Sequence, residues 1–416
     1  MAKMNTITGL DIGSTSIRVA VGQINVHDNN LHIIGAAEHP AEGINKGVIT
    51  SIEDAVSSIS GALDKVERMT GIPTERALVS VNGSHIISQD SRGVVAVSKA
   101  DGEVREEDVN RVIEAAQTVA TPPNYEILHV IPRQFTVDNQ AGIKDPVGMT
   151  GIKLEVQAQI ILGLVSQIKN LTKCVYRTGT DIQDLVLGVL AASEAVLSKR
   201  QKELGVALVN LGGLTTSLMV FEDGDVIHTK IFPVGSGHIT NDIAIGLRTS
   251  VEVAEQIKME YGIALPEEVR KHEEIDLSMI DEKENSRVAR REVAEIIQAR
   301  LEEIFTMVNK ELKLINRHGM LPAGIVLTGG GAKLNSIVDV AKKQFYLPAS
   351  VGVPRQFKTA IDKIHDPVFA TALGLVLWGQ SLAATNATKH FSSFAKFSTV
   401  GDATVKMKKW FKSLLP

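Results

Sequence analysis

Residues 6–23, TITGLDIGSTSIRVAVGQ, follow a plan that the chain uses twice, and this repetition constrains the fold more than any other feature. The first copy is a β-branched run, the tight turn Asp11-Ile12-Gly13-Ser14-Thr15-Ser16, and a second β-branched run, which reads as two strands joined by a turn. The second copy, VALVNLGGLTTSLMVFE at 206–222, aligns with it residue for residue: Asp11 over Asn210, Gly13 over Gly212, Ser16 over Thr215. Such a recurrence predicts two related lobes facing a shared ligand. Glycine lets the backbone approach that ligand closely. Successive N–H groups, with the hydroxyls of Ser14, Thr15, Ser16, Thr215 and Thr216 and the second glycine Gly213, can then cradle phosphate oxygens. Asp11 suits a hydrated Mg²⁺, which prefers one or two carboxylates plus water and phosphate, and Arg18 adds a cation one strand-length on.

A third glycine cluster, GIVLTGGGAKLNSIVDVAKKQF from 324, follows a strand and opens a helix. Gly329, Gly330 and Gly331, followed by Ala332, allow a flat base or ribose to lie against the backbone with a helix N-terminus behind it. Neither a Walker A lysine pattern nor a GxGxxG turn occurs, so the phosphate reading rests on three matched glycine turns in order.

Bulk properties narrow the class. With 416 residues, more than one core is expected. A net charge of -4 argues against a general nucleic-acid binder, because phosphate neutralisation needs a basic surface. Cys174 is the single cysteine, which excludes disulfides within the chain and a cysteine-rich zinc site. No apolar run reaches about 18 residues and the first residues do not read as a signal peptide, so a cytoplasmic protein is expected. The final stretch, KMKKWFKSLLP, adds a qualification. On a helical wheel Met407, Trp410, Phe411, Leu414 and Leu415 share one third of the circumference, while Lys408, Lys409 and Lys412 lie opposite. That pattern suits a helix lying on an anionic membrane surface.

The order of phosphate loop, phosphate loop and adenosine loop resembles the actin, Hsp70 and sugar-kinase ATPase superfamily. Within it, VGMTGIKLEVQAQII at 147–161, GSGHITNDIAIGLRTSVEVAEQIKMEYG at 235–262 and DPVFATALGLVLWG at 366–379 resemble the bacterial cell-division FtsA family. The resemblance implies an α/β, actin-like two-lobed fold of duplicated ribonuclease-H-like domains with an inserted strand–helix–strand–strand subdomain. It implies subdomain 1A at 1–82 and 163–204, the insert 1C at 83–162, 2A at 205–234 and 321–365, and 2B at 235–320. A closing helix at 366–380, a flexible linker at 381–402 and an amphipathic targeting helix at 403–416 complete the expectation. In the insert, 85–98 reads as a strand pair, 106–120 as a helix, and YEILHVIPRQFTV and KLEVQAQII as strands.

For chemistry, the resemblance implies ATP and Mg²⁺ as ligands, with Glu255 and Lys258 beside the adenosine. It implies a filament of the chain's own copies, the C-terminal tail of the tubulin-like FtsZ as partner, held by Arg300 with Arg291 and Ser250, and further division proteins at the insert. The expected location is the cytoplasmic face of the cell membrane at the septum. Two departures matter: Asn210 stands where an Asp is common in the superfamily, and Leu214 where a glycine often sits. Asn keeps the hydrogen-bonding shape but loses the charge that attracts a cation, so slow or negligible ATP turnover is expected. Glu194 is a candidate for positioning water. Two alternatives stay open: a pilus-assembly actin-like protein that clasps a membrane protein's tail, and a sugar or acetate kinase.

Overall fold

The structure, a computed structural model, describes residues 6–25, 30–98, 101–118, 121–281, 286–355, 357, 359 and 361–389. The first lobe opens with β1 (Thr6–Ile12), β2 (Ser16–Ile24) and β3 (Leu31–Pro40). A ribbon of β4 (Ile44–Asn45) and β5 (Val48–Ile49), helix α1 (Ile52–Thr70) and β6 (Arg76–Val81) follow. Helix α1 starts where the Ser51 side chain accepts the Asp54 N–H, and it stops at Gly71, which is left-handed. The inserted unit holds β7 (Ile86–Ala96), α2 (Glu106–Gln117), β8 (Tyr125–Val137), β9 (Gln140–Ile143) and β10 (Lys153–Leu164). The chain then returns through α3 (Val165–Arg177), β11 (Asp181–Leu187), α4 (Gly188–Val196) and α5 (Lys199–Leu204).

The second lobe begins with β12 (Val206–Leu211), β13 (Thr216–Glu222) and β14 (Asp225–Phe232), then α6 (Ser236–Leu247) and α7 (Val251–Tyr261). A ribbon of β15 (Glu274–Asp276) and β16 (Arg287–Ala289) leads into α8 (Arg290–Leu314). β17 (Ile325–Thr328), α9 (Ile337–Phe345) and β18 (Ala349–Val351) complete the lobe, and α10 (Ala370–Lys389) crosses back to the first.

The duplication seen in the sequence is carried into the topology. The first sheet has the order β11-β6-β1-β2-β3 and the other β18-β17-β12-β13-β14, so each strand has a counterpart at the same place. β1 pairs with β2 antiparallel at Asp11↔Arg18 and Ile12↔Ile17, and β12 pairs with β13 at Asn210↔Ser217 and Leu211↔Thr216. The same backbone bond closes both turns: Gly13 N–H to Ser16 O at 3.2 Å, and Gly212 N–H to Thr215 O at 2.9 Å. β1 and β12 sit inside their sheets and are buried almost throughout, as strands covered on both faces must be.

The insert differs from expectation in two places. Residues 85–98 do not form a strand pair; β7 is one strand that pairs without a break along β10 from Ile86 to Ala96. Gly93, within that strand, lets α2 approach, since a Cβ there would lie 2.1 Å from Val112 O. The short β9 adds a fourth strand, giving the order β7-β10-β8-β9. At the other end, the closing helix does not stop near 380 but continues to Lys389, so the first residues of the expected linker are helical. The rest of the linker and the amphipathic helix, with Met407, Lys408, Lys409, Trp410, Phe411, Lys412, Leu414 and Leu415, lie outside the described residues. Among the described residues no helix is long and apolar enough to cross a membrane.

Candidate functional site

Both glycine turns lie at the carboxyl ends of their strands and line one cleft of about 1500 Å³ between the lobes. They meet at its base, where a Cβ on Gly213 would lie 2.4 Å from Thr15 Cγ2. Gly13, Ser14, Thr15, Ser16 and Arg18 line it from the first lobe, and Asn210, Gly212, Gly213 and Thr215 from the second. The Ser14 hydroxyl also accepts the Gly47 N–H at 2.9 Å, which ties the first turn to the β4–β5 ribbon.

Asp11 is the buried carboxylate of the site. Ser80 Oγ donates to its Oδ1 at 2.7 Å and itself accepts the Ile12 N–H at 3.0 Å, and Asn82 Nδ2 donates to the same oxygen at 3.4 Å. Burial pushes the Asp11 carboxyl above its ordinary range, while Arg18 and the two donors oppose that shift. Arg18 is ion-paired with Glu38 at 2.7 Å, so it serves the cleft as half of a pair. Ser80 and Asn82 were not found from sequence: only the fold brings β6 alongside β1.

On the second lobe, the N-terminus of α6 backs the turn. Ser236 N–H donates to Gly212 O at 2.8 Å and Gly237 N–H to Gly213 O at 2.7 Å, contacts so close that Gly235 has no room for a Cβ. Gly235 and Gly237 of the VGSGH stretch at 234–238 are the trace of this close approach in the sequence. Gly329 has φ 83°, and a Cβ there would lie 2.4 Å from Asn210 Oδ1, so glycine is required on two counts. Gly330 and Gly331 line the cleft beyond it. Lys258 is buried, donating to Glu255 Oε2 at 2.6 Å and Thr240 Oγ1 at 2.7 Å, and both Glu255 and Lys258 line the cleft. Ser217, Lys65 and Lys333 line it as well, the last paired with Asp366.

Three expected residues are elsewhere. Thr216 is fully buried in β13 and its hydroxyl donates to Val234 O at 2.7 Å, because strand alternation turns it away from Thr215. Ala332 is buried behind the glycines and does not line the cleft. Glu194 does not line it either; Lys202 Nζ holds its carboxylate at 2.8 Å. The candidates on the helical subdomain are also engaged. Ser250 caps α7 by accepting the Val253 N–H, and Arg291 pairs with Glu295 one turn on at 3.3 Å. Arg300 forks onto Asp242 at 2.6 and 2.9 Å and reaches Glu303 at 2.6 Å, and the Asp242 bonds raise its pKa. Ile245 and Val251 stand exposed on neighbouring helices.

Family models match two parts of the chain: "Cell division protein FtsA" over residues 207–374, and "SHS2 domain inserted in FTSA" over residues 83–162. A relative named "Cell division protein FtsA" from Pseudomonas aeruginosa is 36% identical over 406 residues, covering 97% of each chain. The chain belongs to the FtsA family. For an FtsA-family chain the two-lobed architecture has the expected likenesses. The PilM-PilN type IV pilus biogenesis complex aligns with a TM-score of 0.66 at 16% identity, covering 90% of this chain and 98% of that one. MreB5 of Spiroplasma citri bound to AMPPNP aligns with a TM-score of 0.55 at 14% identity, covering 92% and 98%. These likenesses show the actin-like ATPase fold. The FtsA relationship runs the length of the chain, whereas the pilus likeness is one of fold.

Proposed function

We propose that this chain binds ATP with Mg²⁺ in the interlobe cleft, assembles into filaments on the cytoplasmic membrane face at the septum, and tethers FtsZ filaments there. The observation that carries the nucleotide reading is the doubled turn: two identically closed glycine loops face one cleft, with the buried carboxylate of Asp11 on one side only. The residues present fit the ligand. Backbone N–H groups of both turns and the hydroxyls of Ser16 and Thr215 would hold phosphate oxygens, and Glu255 with Lys258 would hold the ribose and base side. Asp11 would hold the hydrated metal, whose bound charge would neutralise the phosphates. Ser80 and Asn82 keep Asp11 aimed, and Asn210 supplies hydrogen bonds without charge, which favours holding ATP over cleaving it.

Asp11→Ala is expected to weaken ATP binding about tenfold in Mg²⁺ and to leave binding in EDTA unchanged, the loss of one charge-assisted contact. Titration with a fluorescent ATP analogue checks this. Equal losses in both media would move the metal away from Asp11.

The tether reading rests on family membership and on the tail. Five apolar residues opposite three lysines give a weak, reversible anchor, so many copies in a filament would bind firmly where one binds loosely. Arg300, with the exposed Ile245 and Val251 nearby in sequence to its partner Asp242, suits an acidic and apolar peptide such as the FtsZ tail, which would compete with Asp242 for the guanidinium. Division partners beyond FtsZ are assigned to the insert. Co-sedimentation with anionic liposomes and ATP tests the anchor. The full chain is expected to pellet, while deletion of 405–416 or Trp410→Glu leaves it in the supernatant. Full pelleting of Trp410→Glu would sink the anchor.

A further inference from the structure

The inserted unit is joined to the first lobe at both ends, through β6 into β7 and β10 into α3. Its side chains nevertheless hold the second lobe. β14 is the edge strand of the second sheet, and its outward carbonyls would otherwise be unpaired. Arg133 on β8 donates through Nε to Val226 O at 3.1 Å and through its fork to Ile227 O, and is itself braced by Asp90 at 2.9 Å. Ser88 Oγ on β7 donates to Thr229 O at 2.7 Å, and the buried Thr229 hydroxyl donates to Gln159 Oε1 on β10 at 3.0 Å. Lys144, beyond β9, reaches the Asp223 carbonyl at 3.0 Å and the Asp225 carboxylate. Three strands of the insert and the loop after its fourth therefore grip one edge of the other lobe.

Lobes of this kind move relative to each other as bodies when a ligand enters the cleft between them. Here such a motion must carry β14 past the insert, because the insert is fixed to the opposite lobe. We infer that the Arg133, Ser88 and Lys144 contacts form a latch that resists rearrangement of the lobes, so that occupation of the cleft and release of the insert are linked. The inference rests on the nucleotide reading for the identity of the cleft's ligand. Linkage is reciprocal: if ATP loosens the insert, whatever binds the loosened insert tightens ATP binding by the same factor. The insert then reports the state of the cleft to its partners without touching the ligand.

The test uses the full chain with Arg133→Ala and Lys144→Ala combined, and Ser88→Ala as a milder variant that removes one hydroxyl and no charge. Amide hydrogen exchange is followed on β14, β7 and β8, and affinity for a fluorescent ATP analogue is titrated in parallel. In the unaltered chain ATP is expected to speed exchange on β14 severalfold. The double variant is expected to show that faster exchange without ATP and to bind the analogue at least threefold tighter, since no latch remains to be broken. Ser88→Ala is expected to move both readouts the same way by less. Unchanged exchange in the double variant, or an affinity gain below threefold, overturns the linkage. Should the unaltered chain bind no analogue, the nucleotide reading and the linkage fall together, while the exchange arm still judges the latch by itself.

Discussion

Gly374→Val is expected to cost about 3 kcal/mol of folding stability or more, the upper part of the range for overpacking a closed contact. A Cβ at position 374 would lie 1.8 Å from the Ala191 carbonyl oxygen and 2.3 Å from its carbon. Those atoms are helix backbone of α4, not the movable end of a side chain. Helices α4 and α10 must therefore separate along the seam where the chain passes from one lobe to the other. Separation would open the packing around Leu190, Leu373 and Leu375, all buried there. Urea unfolding followed by circular dichroism measures the loss. Gly330→Ala is the matched control: a Cβ there meets nothing nearer than Val368 Cγ1 at 3.8 Å, so stability should hold. A Gly374→Val protein as stable as that control would mean that the seam yields more easily than its geometry requires.

Acid should weaken the fold through His129, by up to about 3 kcal/mol between pH 6.5 and 4. Its Nε2 accepts the Leu187 N–H at 2.9 Å, and its ring stands edge-on to Trp378, whose indole N–H reaches Asp184. The ring is buried where β8 of the insert, β11 and α10 converge, and burial pulls its pKa from 6.5 to about 4. A proton on Nε2 would set N–H against N–H and place a charge in the core. In the unfolded chain the same imidazole takes its proton near pH 6.5. Protonation thus favours unfolding: the stability that the neutral ring protects is complete above about pH 6.5 and is lost as pH falls towards 4. His85, also held near 4 by burial, titrates in the same window, so the comparison must isolate one ring. Unfolding free energies of the native chain and His129→Gln, measured from pH 7 to pH 4, should converge by about 3 kcal/mol as the native chain loses its advantage. Parallel curves would mean that His129 takes its proton at the same pH in the fold as in the unfolded chain.

What could be read ahead of the structure, and what could not, divides by the range of the interactions involved. The two turns were legible because a strand, a glycine turn and a strand are neighbours along the chain, and the aligned copies fixed their equivalence. The same local logic failed at 85–98, read as a strand pair, where one unbroken strand runs and Gly93 serves the approach of α2 from elsewhere. Thr215 and Thr216 differ by one residue and so by one face of the strand, and only the register Leu211↔Thr216 separates a residue that lines the cleft from a core hydroxyl. Ser80 and Asn82 hold Asp11 from some seventy residues away (separations of 69 and 71), beyond the reach of any spacing rule. Glu194 had the right chemistry for a cleft but is claimed by Lys202, a pairing between two helices that composition does not announce.

The apolar cluster of the first lobe does not end at the lobe boundary: Leu208, Met219, Phe221 and Val326 of the second lobe belong to it. Beneath the cleft the duplicated halves share one keel. Neither half, cut out at its own borders, would carry a complete interior, although each has the strand order of a self-contained sheet. The likeness of the two lobes is thus kept in their topology, while part of the interior of the second is joined to the first.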